Sequence, residues 1–454
     1  MVNDGGQEPV VNLSRPWTGR RMHLIGLGGA GMSGYARAAH ALGAAVSGSD
    51  RHASDVLARL EADGVATVTV GHAAANLPGG DDLEVYHSSA IARENPERAG
   101  ARARGLIDLP RAELLAQLSR LRRVIAVAGA HGKTTTSAMI AHVLLGVGSD
   151  PSYLIGGTLR STHTNAHWGA GQWLVVEADE SDRSMLALSV DIAVLTNVEL
   201  DHHATYRSLQ ELRDAFAAFL SAAPDAVVWD RADLLELRGE GPVAAYEAEE
   251  VRLAAGGSRF RWRGQEVDLG VPGIHNARNA VAALEACRLA GASPQRAASA
   301  LASFTGAARR FERLGETGAG AVVYDDYAHH PTEIAATLEA ARTLSHRRLI
   351  AVFQPHLYSR TAMLARELGV ALARADVAAV LDVYPARERG EDFPGVSGRL
   401  VAQATADAAA GRPVYWLADF AQAPRVLGGL LEPEDLVVVM GAGDIDVLGR
   451  ELVV

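Results

Sequence analysis

The chain has 454 residues, 48% of them hydrophobic and 21% charged, which is typical of a globular protein with room for about two to four domains. Its net charge of −11 argues against a nucleic-acid surface. Cys287 is the only cysteine and cannot form an internal disulfide. Residues 1–16 lack a signal-peptide core, and no apolar run approaches a membrane span. We therefore expect a cytoplasmic protein that binds neither nucleic acid nor membrane, with its oligomeric state left open.

The first segment alternates strands and helices, which predicts a parallel sheet. A strand at 23–25 runs into the cluster Gly26-x-Gly28-x-x-Gly31, and a second strand ends at Asp50 after an Ala-rich helix. This pattern is typical of a turn that holds a diphosphate or a ribose, and it would suit NAD equally well. The alternative is a tight turn that needs small residues only for packing.

Residues 129–136 read Gly-Ala-His-Gly-Lys-Thr-Thr-Thr and lie between an apolar strand, 124–128, and a helical pattern. Such a loop binds a nucleotide phosphate through backbone N–H groups and the helix end, while Lys133 adds charge and Thr134 can reach Mg²⁺. The general pattern has Gly where Val127 stands, so the loop is a shortened variant, or else an ordinary turn with an exposed lysine. The candidate ATP-binding residues of the loop are Gly129, His131, Gly132, Lys133, Thr134 and Thr135.

Two polar clusters follow the next strands of this segment. Glu177 is the first of four acids in six residues after 173–176, and His202 belongs to a polar run after 192–195. Ligands of open parallel sheets bind beyond the carboxyl ends of the strands, so both clusters are expected beside the phosphate loop. Since Mg²⁺ needs only one or two carboxylates besides phosphate oxygens, Glu177 is a metal candidate and His202 a candidate at a second divalent site. The alternatives are a solvated acidic loop and a surface histidine.

The remaining chain predicts a hairpin and a further α/β segment. Residues 259–269 alternate like a hairpin, and Asn276 opens a long Ala-rich helix, for which a plain N-cap role is an equal alternative. From about residue 307, strand–loop–helix units repeat, with strands expected at 321–324, 349–353, 377–381 and 436–440.

Cationic and histidine-rich motifs mark this last segment. It opens on Arg309-Arg310-Phe311, and polar clusters at 325–331 and 354–360 each follow a strand. Paired arginines often form only a solvated surface. Cations presented from a separate domain can also bind phosphates and a substrate carboxylate.

As an ordered set, the motifs resemble those of the Mur ligases, from about His23 to Asp446. They are GLGGAGMSG, SGSD, SSAI, GAHGKTTT, EADESD, TNVELDH, GIHNARNA, RRFE, DDYAHHPTE, FQPHLYSR and GAGDI. The Met-Ser-Gly after the glycine cluster is most similar to the alanine-adding members. The resemblance implies an α/β protein of three domains: a Rossmann-like UDP-binding domain at 1–115, a central P-loop ATPase-like domain at 116–306, and a Rossmann-like domain at 307–454 that closes over the site.

The activity that the resemblance implies is ligation of L-alanine to UDP-N-acetylmuramate in peptidoglycan synthesis, through an acyl phosphate, with ATP and two Mg²⁺ ions. A close alternative is a recycling ligase that joins the same sugar nucleotide to a preformed tripeptide. An NAD-dependent dehydrogenase would leave the phosphate loop and the clusters after it without a role. A non-catalytic nucleotide-binding scaffold would not need Lys133 or the metal candidates.

The resemblance also implies roles for individual residues, in four groups. The expected catalytic residues, of which the last two lie near the amino acid, are Lys133, His202, His329 and Arg360. The expected metal ligands are Thr134, Glu177 and His202. Besides the loop, the residues expected at the nucleotide are Asn276, Asn279, Arg310 and Asp326. The residues expected at the UDP-sugar are Gly28, Gly29, Ala30, Gly31, Met32, Ser49, Asp50, Ser88, Ser89 and Ala90.

Three positions depart from the family pattern. Leu357 stands where relatives can carry an arginine near the amino acid, which leaves more of that role to Arg360. Arg183 and Met185 replace a small residue and a phenylalanine.

Overall fold

The computed structural model describes residues 15–200 and 205–453. These residues form two compact units. One takes in the chain up to residue 133 together with 148–158 and 163–244, and the other takes in 134–147, 159–162 and the chain from 245 onward. No helix in the described part of the chain combines the length and the apolar character needed to cross a membrane.

The first unit begins with a five-stranded parallel sheet in the order β3-β2-β1-β4-β5. The carboxyl end of β1 lies between those of β2 and β4, because Ile25 pairs with Ser49 on one side and with His87 on the other. The glycine turn after β1 therefore lies at the point where the strand order reverses, where open sheets bind ligands. The elements are β1 (Arg21–Ile25), α1 (Ala30–Ala41), β2 (Ala45–Asp50), α2 (Asp55–Ala62), β3 (Thr67–Val70), β4 (Leu83–His87), α3 (Pro96–Ala103), β5 (Asp108–Pro110) and α4 (Arg111–Ser119).

A seven-stranded sheet follows, in the order β12-β11-β10-β6-β9-β7-β8. Its middle strands β10, β6 and β9 run parallel and are almost wholly buried, which explains their unbroken apolar sequences. Since β6 lies between β10 and β9, the residues that follow these three strands meet at one sheet edge, as predicted. The elements are β6 (Arg123–Ala128), α5 (Lys133–Gly146), β7 (Ser152–Leu159), β8 (Thr164–His167), β9 (Trp173–Glu177), β10 (Ile192–Leu195), α6 (Leu209–Ala222), β11 (Asp225–Trp229), α7 (Ala232–Leu235) and β12 (Val243–Tyr246).

The second unit contains a small antiparallel sheet, β13-β14-β15, which includes the predicted hairpin. The helix expected from Asn276 begins two residues earlier, at Ile274, and its N-cap is Gly273 at φ 100°. The N-cap interpretation of Asn276 is therefore wrong: its Nδ2 donates back to the Pro272 carbonyl at 2.7 Å. The elements are β13 (Glu249–Ala254), β14 (Gly257–Trp262), β15 (Gln265–Leu269), α8 (Ile274–Leu289) and α9 (Pro294–Leu301).

The chain ends in a six-stranded sheet in the order β16-β17-β21-β18-β19-β20. Only the edge strand β16 pairs antiparallel, and β17, β18, β19 and β21 confirm the strands expected here. Its elements are β16 (Glu312–Glu316), β17 (Val322–Asp326), α10 (Pro331–Ala341), β18 (Leu349–Phe353), α11 (Tyr358–Leu372), β19 (Val377–Leu381), α12 (Gly398–Ala408), β20 (Val414–Leu417), α13 (Ala423–Gly428), β21 (Leu436–Met440) and α14 (Ile445–Leu452).

A buried polar network centred on Glu97, at the start of α3, lies against the first sheet. One oxygen of the fully buried Glu97 carboxylate accepts from Ser49 Oγ at 2.5 Å and lies 3.2 Å from His23 Nε2, and the other accepts from Asn76 Nδ2 at 2.6 Å. Burial alone would raise the pKa of Glu97. The hydrogen bonds from His23, Ser49 and Asn76 outweigh burial and lower the pKa to about 2.

Glu97→Gln is expected to lower the free energy of unfolding at pH 7 by about 3 kcal/mol, the equivalent of the pKa difference. Because the pKa is lowered in the folded protein, the ionised carboxylate contributes its full stabilisation above pH 4.5, the pKa of the group in the unfolded chain. This stabilisation is lost as the pH falls towards 2. The difference in the urea midpoint of unfolding between wild type and variant should therefore decrease between pH 4.5 and pH 2. The exposed Glu61→Gln serves as control, and a gap that does not change with pH would contradict the prediction.

Candidate active site

The phosphate loop leaves the end of β6 and is shaped by two glycines. Gly129 has φ 132° and Gly132 has φ 83°, a region of backbone conformation that favours glycine. A Cβ at Gly129 would lie 2.2 Å from Thr196 Oγ1 and 2.9 Å from the Asn197 carbonyl oxygen. The loop thus passes so close to the end of β10 that only glycine fits at its first position.

Asn197 holds this loop, a role that the sequence analysis did not assign. Its Oδ1 accepts the His131 N–H at 3.0 Å, and its Nδ2 donates to the His131 carbonyl at 2.9 Å. Thr196 Oγ1 donates to the same carbonyl at 2.6 Å, and His131 Nε2 lies 2.9 Å from Glu199 Oε2. The signal was present in the motif Thr-Asn-Val-Glu-Leu-Asp-His, whose first two residues directly follow β10.

Lys133 lies among the acids that follow β9. Its Nζ donates to the Gly129 carbonyl at 2.6 Å and to Glu180 Oε1 at 2.9 Å. Burial alone would lower the pKa of Lys133, but the charges of Glu180, Asp179 and Glu177 outweigh burial and raise it. The ammonium group therefore stays charged at neutral pH beside the loop, as phosphate binding requires.

Lys133 is also the only lysine in the sequence, among 43 lysine and arginine residues. Every other cationic position that could carry either residue carries arginine. A compact ammonium binds phosphate as a point charge, whereas guanidinium is a planar fork that needs more space. The composition therefore marks residue 133 as a position that requires an ammonium group, independently of the motif spacing.

Glu177, the metal candidate, is held at the end of β9. Its Oε2 accepts the Gly156 N–H from β7 at 2.8 Å. Four acidic side chains lie around two basic ones here, which leaves an excess of negative charge that a divalent cation would offset. The donors present, carboxylate oxygens beside a phosphate loop, fit Mg²⁺. The six residues are Glu177, Asp179, Glu180, Asp182, Lys133 and Arg111.

Gly156→Ala is expected to weaken Mg²⁺ binding by about tenfold or more, because supporting contacts of a ligand typically contribute 10- to 100-fold. A Cβ at Gly156 would lie 2.6 Å from Glu177 Oε2, so the carboxylate must move. Titration with Mn²⁺ as a spectroscopic probe measures the change. Gly79→Ala, which meets nothing within 4 Å, is the matched control, and equal affinities in the two variants would argue against Glu177 as a ligand.

The expected second-metal ligand, His202, lies outside the described residues. So do its neighbours up to residue 204. Its proposed role therefore remains a prediction.

In the second unit, the paired arginines have separate partners. Arg310 Nη2 donates to Thr134 Oγ1 at 3.1 Å, at the start of α5. Arg309 donates to Asp325 Oδ2 at 3.2 Å and to the Gly441 and Gly443 carbonyls at 2.8 and 3.0 Å. Arg309 thus ties the opening of this segment to the loop after β21, while Arg310 reaches the hydroxyl expected at the nucleotide.

Asp326 and the two asparagines are buried and have protein partners. Asp326 accepts N–H groups of Phe311 at 2.7 Å and Ala328 at 2.8 Å, and burial, partly offset by Arg310, raises its pKa. Asn279 Nδ2 donates to Asn276 Oδ1 at 3.4 Å. These contacts orient the segment that carries Arg310 and the start of α8, and they leave any direct contact with the nucleotide as a prediction.

His329 and Arg360, the two residues expected near the amino acid, both contact His356. Arg360 Nη1 donates to His356 Nδ1 at 3.2 Å, and the His329 and His356 rings lie 6.0 Å apart. The His356 ring also stacks on Tyr384 at 5.8 Å. His356 lies three residues after β18 in the motif FQPHLYSR. Its position directly after a strand therefore indicated a place at the ligand-binding edge of the sheet.

The three departures from the family pattern have structural counterparts. Leu357 is buried with φ 69°, so its side chain faces the interior. Met185 is buried in the core of the first unit. Arg183 pairs with Glu211 and lies 5.0 Å from the centre of the Tyr206 ring.

The residues expected at the UDP-sugar gather at the carboxyl ends of β1, β2 and β4, with two differences. One is Met32, whose side chain is buried in the hydrophobic core. Gly28 donates its N–H to Asp50 Oδ2 at 2.8 Å, Gly29 is the N-cap of α1, and Ser88, Ser89 and Ala90 follow β4. The Ser49 hydroxyl instead lies buried against Glu97, so it does not face a ligand.

A cavity of about 330 Å³ adjoins the glycine turn in the first unit. Asn165 on β8 donates to the Ala30 carbonyl at its edge, at 2.8 Å. Its lining includes Gly28, Ala30, Arg37, Arg59, His163 and Asn165. Arg37 is paired with Asp63, which also lines the cavity, so Arg59 and the start of α1 are the groups that fit an anionic ligand.

A one-lysine glycine loop at the start of a helix, with acids at the same edge of a parallel sheet, defines an α/β enzyme that uses a nucleoside triphosphate. Family models match three consecutive parts of the chain: the Mur ligase family catalytic domain at residues 21–123, the Mur ligase middle domain at 127–287 and the Mur ligase glutamate ligase domain at 309–443. The chain belongs to the Mur ligase family.

Individual relatives are similar over nearly the whole length. The UDP-N-acetylmuramate–L-alanine ligase of Rubrobacter xylanophilus is 44% identical over 95% of this chain and 99% of its own, and that of Thermobifida fusca is 44% identical over 95% and 96%. The crystal structure of the UDP-N-acetylmuramate–alanine ligase from Thermotoga maritima matches with a TM-score of 0.81 at 27% identity, over 95% of this chain and 98% of that one. A murein peptide ligase from Psychrobacter arcticus matches with a TM-score of 0.74 at 25% identity, over 96% and 98%.

Proposed function

We propose that this protein joins L-alanine to the carboxylate of UDP-N-acetylmuramate with ATP, and releases UDP-N-acetylmuramoyl-L-alanine, ADP and phosphate. The observation that carries the proposal is the contact of Lys133, on a phosphate loop, with the acids after β9. A scaffold that only binds nucleotide does not need that arrangement. The full-length similarity to L-alanine ligases supports the choice of substrates.

The chemistry of the reaction explains why ATP is needed. A carboxylate is a poor acyl donor, because oxide would have to leave. Attack of the carboxylate oxygen on the γ-phosphorus of ATP releases ADP and makes an acyl phosphate. The L-alanine amine then attacks the acyl carbon, phosphate leaves from the tetrahedral intermediate, and the amine gives up a proton.

The chain's own residues would act mainly by charge and position. Lys133 and the N–H groups of the loop bind the β- and γ-phosphates, and Arg310 adds charge to the transferring group. Mg²⁺, held by Glu177 and Thr134, would offset charge on the phosphate oxygens, and a second ion at His202 is part of this proposal.

The amino acid is assigned to the second unit. His329, His356 and Arg360 form a polar cluster after β17 and β18, where a guanidinium group can bind the L-alanine carboxylate. The cavity beside the glycine turn is assigned to the anionic part of the UDP-sugar.

The domain boundaries and the place of the reaction complete the proposal. We assign residues 1–115 to UDP-sugar binding, 116–306 to ATP, and 307–454 to the amino acid and to closure over the nucleotide. The product belongs to peptidoglycan synthesis, and we place the reaction in the cytoplasm, where ATP is available.

The test is phosphate release from ATP with UDP-N-acetylmuramate, with L-alanine, glycine, L-serine or a tripeptide offered separately. We expect turnover with L-alanine at the highest kcat/KM. Turnover with the tripeptide alone would establish the recycling reaction instead. Phosphate release that requires no amino-group substrate would exclude ligation.

A further inference from the structure

Arg111 joins two loops that the sequence places far apart. It begins α4 in the first α/β segment, and its guanidinium reaches the acids after β9. Nε donates to Asp182 Oδ2 at 2.9 Å, and Nη2 donates to Asp179 Oδ2 at 2.8 Å. The two carboxylates also cap their own loop, since Asp179 accepts the Ser181 N–H at 2.9 Å and Asp182 the Ser184 N–H at 3.1 Å.

The other edge of the same guanidinium faces the glycine turn. A Cβ at Gly31 would lie 3.2 Å from Arg111 Nη1 and 3.8 Å from the Tyr35 hydroxyl. Gly31 is therefore a place where the turn and the arginine approach closely, and a larger residue would separate them. Arg111 lies between the turn assigned to the UDP-sugar and the loop assigned to the metal.

The charges connect Arg111 to the phosphate loop as well. Arg111 Nη2 lies 2.8 Å from Asp179 Oδ2, and Lys133 Nζ donates to Oε1 of the adjacent Glu180 at 2.9 Å. The two cations therefore hold neighbouring acids of one loop. Any movement of Arg111 changes the field at Lys133 and the position of the acidic loop.

We propose that Arg111 is a positioning residue that holds the glycine turn and the acidic loop at a set separation, so that the carboxylate of the sugar nucleotide lies at the γ-phosphate. This inference rests on the proposed ligation. The planar guanidinium makes two hydrogen bonds and one further ion-pair contact of 2.7 Å to the two carboxylates. This fork fixes one geometry, whereas an ammonium group allows many.

Arg111→Met and Arg111→Lys are expected to lower kcat by about 100-fold, since a misplacement of about 1 Å between reacting groups costs that much. The KM values for ATP and for UDP-N-acetylmuramate should each stay within about threefold, because each binding loop is retained. Steady-state phosphate release gives all three constants. An ordinary structural ion pair would instead lower stability without this division between kcat and KM.

Arg20→Met is the matched control. Arg20 is also partly buried, pairs with Glu84, and donates to Gln117 of the same helix at 2.8 Å, but it contacts neither loop. It should keep kcat within about threefold of wild type. Parallel losses of kcat and stability in the Arg20 and Arg111 variants would overturn the proposal, as would a rise in KM with kcat unchanged.

Asp182→Asn provides a second measurement if Arg111→Met does not fold. We expect the kcat losses of Arg111→Lys and Asp182→Asn to be strongly non-additive in the double variant, because the two residues act as one unit. Additive losses would overturn the inference. A wild type that shows no turnover with UDP-N-acetylmuramate and L-alanine would refute the proposed function, whereas an active wild type with unaffected Arg111 variants would refute this inference alone.

Discussion

Lys133→Met is expected to lower the rate of ligation by about 10³-fold or more while UDP-N-acetylmuramate binding stays within about twofold. Groups that stabilise charge on a transferring phosphoryl group contribute on this scale. Lys133 is the cation of the phosphate loop, and its Nζ is 2.9 Å from Glu180 Oε1 and 2.6 Å from the Gly129 carbonyl oxygen. The glycine turn assigned to the UDP-sugar lies in a different sheet, so its ligand should not be affected.

Phosphate release measures the rate of ligation, and calorimetry measures the affinity for UDP-N-acetylmuramate. Lys133→Met also leaves the buried Glu180 without its cation, so Lys133→Met/Glu180→Gln separates lost catalysis from lost stability. Arg123→Met removes a half-exposed cation at the opposite end of β6 and should stay within about threefold of wild type. An active Lys133→Arg variant, or an equal loss of affinity for ATP and for UDP-N-acetylmuramate, would contradict the assignment of Lys133 to the ATP phosphates.

The composition offers an independent check of the same residue. Because Lys133 is the only lysine, an amine-directed reagent has only this side chain and the α-amino group to modify. We expect slow modification, because its raised pKa lowers the fraction of free amine. Mg²⁺ with ATP should protect it, and labelling that is indifferent to ATP would place the phosphates elsewhere.

The central strands could be predicted because they are buried apolar runs with a polar motif at the carboxyl end, whereas exposed strands such as β13 lack this pattern. β6, β9 and β10 follow this pattern, and their adjacency explains why Lys133 and Glu177 were expected together. The start of α8 was misplaced, because Asn is a common N-cap and nothing local shows that its amide donates backward to Pro272.

The supporting contacts could not be predicted, because they join residues far apart in sequence. Asn197 holds His131 across 66 positions, and Arg111 reaches Asp182 across 71. No local pattern marks Arg111, and the motif that begins with Thr196-Asn197 shows that Asn197 follows β10 but not that it reaches His131. Likewise, Ser49 belongs to the binding motif Ser-Gly-Ser-Asp, yet its hydroxyl turns towards α3, where Glu97 supplies a buried acceptor.

Gly129→Ala is expected to be the most damaging single-methyl change in the phosphate loop, with a loss of about 3 kcal/mol or more in stability and about 10²-fold in kcat. Two costs add at this position. The φ of 132° is strained for any residue with a Cβ, and that Cβ would lie 2.2 Å from Thr196 Oγ1 and 3.0 Å from the Asn197 backbone nitrogen. Relief requires the loop to leave Thr196 and Asn197, which moves the N–H groups that bind phosphate.

Gly148→Ala separates these two costs. Gly148 has φ 82° in the turn after α5, but a Cβ there meets nothing within 4 Å, so the variant carries backbone strain of about 1–2 kcal/mol without a clash. Chemical denaturation and steady-state phosphate release should therefore show a modest loss of stability with near-normal kcat for Gly148→Ala, and large losses of both for Gly129→Ala. Equal behaviour of the two variants would mean that contact with the end of β10 does not shape the loop. In that case, Asn197→Ala should also leave kcat unchanged. If Asn197 does hold the loop, Asn197→Ala lowers kcat, and the double variant with Gly129→Ala loses little more than Gly129→Ala alone.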